Sequence, residues 1–165
     1  MNQSYWVVEN QFFAGEYPRN LDEKSSLDKL GSMIKGGVSA FIDLTEEYEG
    51  LEPYSHLLDQ FEQVSHQRFP IRDMSVPAKK EITTEILDTI DGHIHHKRVV
   101  YVHCWGGVGR TGVIVGSWLA RHGWQGKSAL KRLRELWQGC PKSAYRNSPE
   151  TREQAQYILD WEEPR

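Results

Sequence analysis

The chain has 165 residues, 38% of them hydrophobic and 26% charged, with a formal net charge of −3 and two cysteines. That length suits a single domain over 1–165 with one core, and leaves no room for a second module. The mild negative charge argues against non-specific nucleic-acid binding, no apolar run approaches the roughly 18–20 residues of a membrane helix, and MNQSYWVVEN lacks the pattern of a secretion signal, so a cytoplasmic monomer is expected.

In chain order, Tyr5–Val8 and Gln11–Ala14 read as a short hairpin rich in aromatic and β-branched residues. A helical pattern runs from about Leu21 to Ile34 and stops at Gly36-Gly37, and VSAFIDL (Val38–Leu44) reads as a buried strand. A second helical pattern between about Pro53 and Val64 precedes a short strand at Arg68–Ile71, which opens into the loop RDMSVP. From Glu81, Ile82, Ile86, Ile90 and Ile94 recur every four residues on one helix face. Arg98–His103 (RVVYVH) is the most continuous β-branched run and predicts a central strand buried on both faces. Three helices follow, at Arg110–His122, Ser128–Gln138 and about Pro149–Glu162, the last with Ser148 as N-cap and Pro149 at its first position. Strands alternating with helices predict an α/β fold with a central, largely parallel sheet flanked by helices on both faces. In such sheets, sites form where strand carboxyl ends feed helices, so attention falls just after RVVYVH.

His103–Gly112 reads HCWGGVGRTG. Its glycines, Gly106, Gly107 and Gly109, permit a tightly curved loop whose successive N–H groups, with those of Trp105 and Val108, point into one concavity. The following helix aims its positive end at the same point, and Arg110 can grip two oxygens of a phosphate with its planar guanidinium. The same positive potential favours a Cys104 thiolate, a nucleophile set beneath a phosphate cradle. Thr111 can donate to the sulfur, and His103 can hold the loop through backbone hydrogen bonds. An inert buried cysteine would leave the glycines and Arg110 unexplained.

The string HCWGGVGRTG resembles the H-C-x5-R-[ST]-G signature of the cysteine-dependent protein tyrosine phosphatases, and the small dual-specificity type is nearest in size. The likeness extends to FFAGEYPR and SPETREQ. It implies a phosphomonoesterase that needs no metal or cofactor and passes through a cysteinyl-phosphate. Cys104 would be the nucleophile, Arg110 and the loop amides of Trp105–Arg110 the phosphate binder, and Thr111 the group assisting the sulfur. Asp73, in a loop 31 residues before Cys104, resembles the family's general acid in order and spacing, with Arg72 where the tyrosine-specific enzymes carry tryptophan. Asp43 is the rival acid, although its position at the end of VSAFIDL fits better a role in capping or ordering the next loop. Glu150 and Gln154 fall where the family often places a polar group near the catalytic water, while Glu150 fits equally well as a first-turn carboxylate. Tyr17 and Arg19 of GEYPR resemble residues at the pocket mouth, with a surface turn as the plain alternative.

Other features read more simply. Trp105 is expected to pack beneath or beside the loop rather than to read substrate. The HIHH run (His93, His95, His96) lacks a further ligand nearby and reads as an exposed helix end rather than a metal site. Lys127, Lys131, Arg132 and Arg134 form a solvated basic face that could attract anions. Cys140 could pair reversibly with Cys104 on oxidation. The expected substrate is a phosphorylated protein or peptide, phosphotyrosine first, with phosphoserine and phosphothreonine as further targets and phosphate-like anions bound at the site. Trp105–Gly109 contains no lysine, which disfavours phosphoinositide and RNA 5′-phosphate substrates; a phosphate-binding module without turnover is the non-enzymatic alternative.

Overall fold

Alternation along the strands decides the architecture. In a computed structural model describing residues 3–164, strand β5 (Val99–His103) lies at the centre of a five-stranded sheet. Val100 and Val102 pack into one core, and Tyr101 points into a second core on the opposite face. Strand β3 (Val38–Asp43) repeats the pattern with Ala40 and Ile42 on the first face and Phe41 on the second, as does β2 (Phe12–Gly15) with Phe12 and Ala14 against Phe13. With side chains alternating every residue, both faces must be covered, and a strand buried on both faces can be apolar throughout.

The sheet order is β1-β2-β5-β3-β4, with β1 (Ser4–Val8) antiparallel to β2 and the other neighbours parallel, β4 being Ser65–Arg68. Helices α2 (Lys80–His95), α3 (Arg110–Arg121), α4 (Lys127–Trp137) and α5 (Arg152–Leu159) contribute Ile86, Ile114, Leu133 and Ile158 to the first core. Helix α1 (Glu23–Lys35) covers the second face with Leu30 and Met33. The expected α/β sheet with helices on both faces is the observed one.

Several boundaries move for local reasons. Asp22 caps α1 by accepting from Ser25 N at 2.8 Å, so the helix starts after Leu21. The segment expected as a helix over 53–64 is a short 3-10 helix, Ser55–Gln60, which buries only Leu57 and Leu58. The strand expected at Arg68–Ile71 lies at Ser65–Arg68, although Phe69 N and Ile71 N still donate to Asp43 O (2.9 Å) and Leu44 O (3.0 Å) beyond it. Helix α5 starts three residues later than expected. Its N-cap is Thr151, in a reciprocal capping box with Gln154, while Ser148 is buried and donates to Val108 O at 2.6 Å.

Candidate active site

The four parallel strands end level with one another. Gly15 and Asp43 each pair with His103, and Arg68 pairs with Asp43, so the loops leaving β2, β5, β3 and β4 rise from one edge. Four segments far apart in sequence therefore meet above His103, at the carboxyl ends where α/β sheets bind ligands.

The loop Cys104–Gly109 connects β5 to α3. Gly107 takes φ +74°, and a Cβ there would run into the Gly15 carbonyl, so both the backbone angle and the close approach of β2 demand glycine. Its N–H donates to Cys104 Sγ at 3.3 Å, which aims one loop amide at the sulfur. At Gly109 a Cβ would sit 2.9 Å from the side-chain amide of Gln154, so the missing side chain lets α5 press against the loop.

Arg110 is buried and held from three directions. Its Nη1 and Nη2 donate to the two carboxylate oxygens of Glu49 at 2.7 and 2.8 Å, Nη1 also donates to Ile71 O at 3.0 Å, and Nη2 lies 3.1 Å from Asp73 Oδ1. Burial alone would lower the pKa of Arg110. The hydrogen bonds it donates to Glu49 and the charges of Cys104, Glu49 and Asp73 outweigh it and raise the value above the ordinary one. Burial likewise pushes Glu49 up, but Arg110 more than compensates and holds its carboxyl below the usual range. Arg110 Nε has no hydrogen-bond partner, a buried donor left free beside the loop.

His103 is fully buried beneath the loop. Its Nδ1 lies 2.9 Å from Cys104 O and its Nε2 lies 2.6 Å from Tyr54 Oη, while burial pushes its pKa down and keeps the ring neutral. The neutral ring donates from Nδ1 to the carbonyl and accepts at Nε2 from Tyr54, so it holds the loop as expected. Thr111 does not behave as expected: its Oγ1 is buried without a partner, so the bond to the sulfur is not made. Trp105 is not packed beneath the loop either. It is 59% exposed because the loop's curvature carries it outward, where it forms part of the cavity wall.

The cavity over Cys104 has a volume of about 380 Å³, and its walls include Asp73, Trp105, Gly106, Arg110 and Glu150. Asp73 is half exposed and reaches it from the loop after β4. Asp43 does not line the cavity. It is buried, accepts from Thr45 N and Oγ1 at 2.9 and 2.6 Å, and faces His66 at 3.2 Å, so it orders the turn after β3. Burial pushes its pKa up, but the His66 and Thr45 hydrogen bonds and nearby His103 outweigh this and leave it well below the carboxylate range.

Gln154 is buried, and both the oxygen and the nitrogen of its amide are hydrogen-bonded. Oε1 accepts from Glu150 N and Thr151 N at 3.0 and 3.1 Å, and Nε2 donates to Ser75 O at 2.9 Å. It ties the start of α5 to the segment carrying Asp73. Glu150 lines the cavity and pairs with Arg146 at 2.9 Å. Tyr17 and Arg19 do not line this cavity; they belong to a neighbouring cleft, where Tyr17 Oη donates to Glu52 O and Arg19 Nη1 to Pro53 O, both at 2.7 Å.

Four lining or supporting residues escaped the sequence reading: Glu49, Glu16, Lys142 and Arg146. Lys142 Nζ donates to Gly106 O at 2.7 Å and pairs with Glu16 at 3.3 Å, bringing an amine to a loop that has none of its own. Glu49 had a faint signal, an acidic run directly after the β3 strand end, but such runs are more often solvated. The other three had none, because only the fold brings them near Cys104. His93, His95 and His96 end α2, and no group of three or more potential metal ligands occurs among the described residues. Cys140 is a free, buried thiol whose Sγ lies 3.8 Å from Gln3 Oε1.

Residues 18–124 match a family described as "Polymorphic toxin system, DSP-PTPase phosphatase". The 067L protein of Invertebrate iridescent virus 3, whose name places it among the tyrosine phosphatases, is 30% identical over 127 residues, covering 73% of this chain and 47% of that protein. The uncharacterised protein MJECL20 of Methanocaldococcus jannaschii is 29% identical over 92 residues, 56% of each chain. The chain thus spans about half the length of these relatives. Among solved structures, Tk-PTP in its active form superposes with a TM-score of 0.74 at 23% identity, covering 96% of both chains. PTPMT1 in complex with PI(5)P gives 0.72 at 18%, covering 96% of this chain and 94% of that one. These likenesses show the fold. Strand-to-helix loop, buried Cys104 and Arg110, and a family match over most of the chain converge: the chain belongs to the DSP-PTPase phosphatases of polymorphic toxin systems.

Proposed function

We propose that this chain hydrolyses phosphomonoesters through a cysteinyl-phosphate intermediate, with phosphotyrosine in proteins or peptides as the principal substrate and phosphoserine and phosphothreonine as further ones. The observation that carries this reading is the conjunction, in one cavity, of Cys104 Sγ under a loop amide at 3.3 Å and an Arg110 guanidinium with a buried, unpartnered Nε. The Cys104 sulfur attacks phosphorus and the ester oxygen departs. The loop N–H groups and Arg110 hold the equatorial oxygens as charge gathers on them. Asp73, beside Arg110 at 3.1 Å and open to the cavity, gives its proton to the leaving oxygen. It then takes a proton from the water that attacks the phosphocysteine, which releases phosphate and restores the thiolate.

A second reading has its own observation. Lys142 and Arg146 line the cavity, so a substrate with a second anionic group, such as a phosphoinositide, would meet cations that the loop sequence alone does not supply. Their existing pairings with Glu16 and Glu150 leave less positive charge for a second phosphate and favour a substrate with a single phosphoryl group.

The test is hydrolysis of p-nitrophenyl phosphate in the presence of EDTA. The wild-type chain is expected to turn it over, Cys104→Ser to lose at least about a thousandfold in kcat, and Asp73→Asn to lose more on phenyl phosphate than on p-nitrophenyl phosphate. Full activity in Cys104→Ser would exclude the cysteinyl-phosphate route.

A further inference from the structure

Beside the phosphate cavity lies a second, larger cleft of about 570 Å³, within the size range of ligand pockets. Glu16 and Trp105 belong to the walls of both, so the two spaces adjoin at these residues. We propose that this cleft receives a large apolar side chain from the residue flanking the phosphorylated one in a peptide or protein substrate. The proposal rests on the phosphatase reading above and names the substrate feature that reading leaves open.

Three observations support it. The cleft is built in advance: Tyr17 Oη donates to Glu52 O and Arg19 Nη1 to Pro53 O, both at 2.7 Å, and Tyr17 N donates to Trp105 O at 2.9 Å. These bonds stitch the segment after β2 to the segment after the β3 turn and to the phosphate loop itself. A side chain seated there therefore needs little reordering of the protein.

The second observation is the placement of apolar surface. Leu21 is 95% exposed and Trp105 59%, and both face the cleft, with half-buried Leu51 between polar neighbours. A single exposed leucine is ordinary; one that shares a concave wall with an exposed tryptophan gives an apolar side chain two surfaces to bury against. Trp105 directly follows Cys104 and also lines the phosphate cavity, so a group resting on its ring lies beside that cavity.

The third is charge. Glu16, Asp22 and Glu52 line the cleft against Arg19 and Lys29, and Lys29 is already paired with Glu16 at 3.4 Å. Carboxylates outnumber cations, so a second phosphate is repelled and a neutral side chain on a peptide backbone is not.

The experiment uses the full chain, p-nitrophenyl phosphate, and two phosphotyrosine peptides identical except that the residues on either side of the phosphotyrosine are leucine in one and serine in the other. Wild type is expected to favour the leucine peptide by about five- to twentyfold in kcat/KM. Leu21→Asp, a change at an exposed position that the fold tolerates, is expected to bring the two peptides within twofold of each other while leaving p-nitrophenyl phosphate within twofold of wild type. Leu51→Ser is expected to act in the same direction. Equal kcat/KM on the two peptides, with p-nitrophenyl phosphate hydrolysed, would overturn this proposal alone. Failure to hydrolyse p-nitrophenyl phosphate would overturn the phosphatase reading and this proposal with it. Leu21-dependent hydrolysis of a soluble short-chain phosphoinositide, with both peptides inert, would assign the cleft to lipid and overturn the proposal.

Discussion

Glu49 sets the orientation of Arg110. A guanidinium gripped by both oxygens of one carboxylate cannot rotate without breaking two charge-assisted hydrogen bonds, so its free Nε–H stays directed from one place. Glu49→Gln keeps one acceptor and loses the charge. Bonds to charged groups are worth about 1.5–3 kcal/mol, and 1.36 kcal/mol is tenfold in rate, so kcat/KM on p-nitrophenyl phosphate is expected to fall roughly 10- to 100-fold. A loss below twofold would show that the loop alone orients Arg110. Cys104, Arg110 and the three glycines were legible in sequence because one short string holds them all. Glu49 was not, since it stands 61 residues from its partner.

Among the elements, α5 acts on the site through its first turn. The Thr151–Gln154 capping box fixes the Gln154 backbone, and its side chain then bridges to Ser75 O in the segment that follows Asp73. Gln154→Ala removes that bridge and leaves the Glu150 and Thr151 N–H groups without their acceptor. The expected outcome is a three- to tenfold fall in kcat on phenyl phosphate and a smaller one on p-nitrophenyl phosphate, because a misplaced acid matters most for a poor leaving group. Equal losses on both esters would make Gln154 a support of the phosphate loop rather than of the acid segment. The expected start of this helix, with Ser148 as its cap, followed a sound local rule. It failed because Ser148 found a stronger demand, the buried Val108 carbonyl at 2.6 Å. The helix read over 53–64 shortened to Ser55–Gln60: Leu57 and Leu58 reach the second core from it, while Phe61, already extended, and Val64 pack against the same core from beyond its end.

Over the whole molecule, buried titratable groups tie stability to pH. His103 is held neutral by burial, below its ordinary value of 6.5, and half-buried His93 shifts the same way. As pH falls through 6.5 the unfolded chain takes up protons that the folded chain refuses, so stability declines. Asp43 and Glu49 are shifted below their ordinary values of 3.8 and 4.5, and their contribution is present above those values and lost as pH falls further. Melting temperature is therefore expected to be flat between about pH 7.5 and 8.5, to slope down below about pH 6.5, and to drop more steeply below about pH 4.5. Above about pH 9 it falls again, because burial raises the Cys140 thiol and the Tyr5, Tyr54 and Tyr101 hydroxyls and the unfolded chain ionises first. His103→Asn should melt lower at pH 8 yet lose less between pH 8 and pH 5. A parallel loss in the variant would rule out His103 as a source of the first slope.

By itself the sequence determined the alternating pattern that buries both faces of the sheet, and the loop whose glycines, cysteine and arginine are contiguous. These are local properties, written in neighbouring residues and in a repeat of two along each strand. Only the tertiary structure decided what surrounds them. The parallel register that levels Gly15, Asp43, Arg68 and His103 brings Glu49 and Asp73 to one edge from separate loops, and the connection between α4 and α5 adds Lys142 and Arg146. The curvature of the loop turns Trp105 outward, where it lines both cavities. Pairings across tens of residues leave no periodic trace in a single chain, so they become visible only when the strands are set side by side.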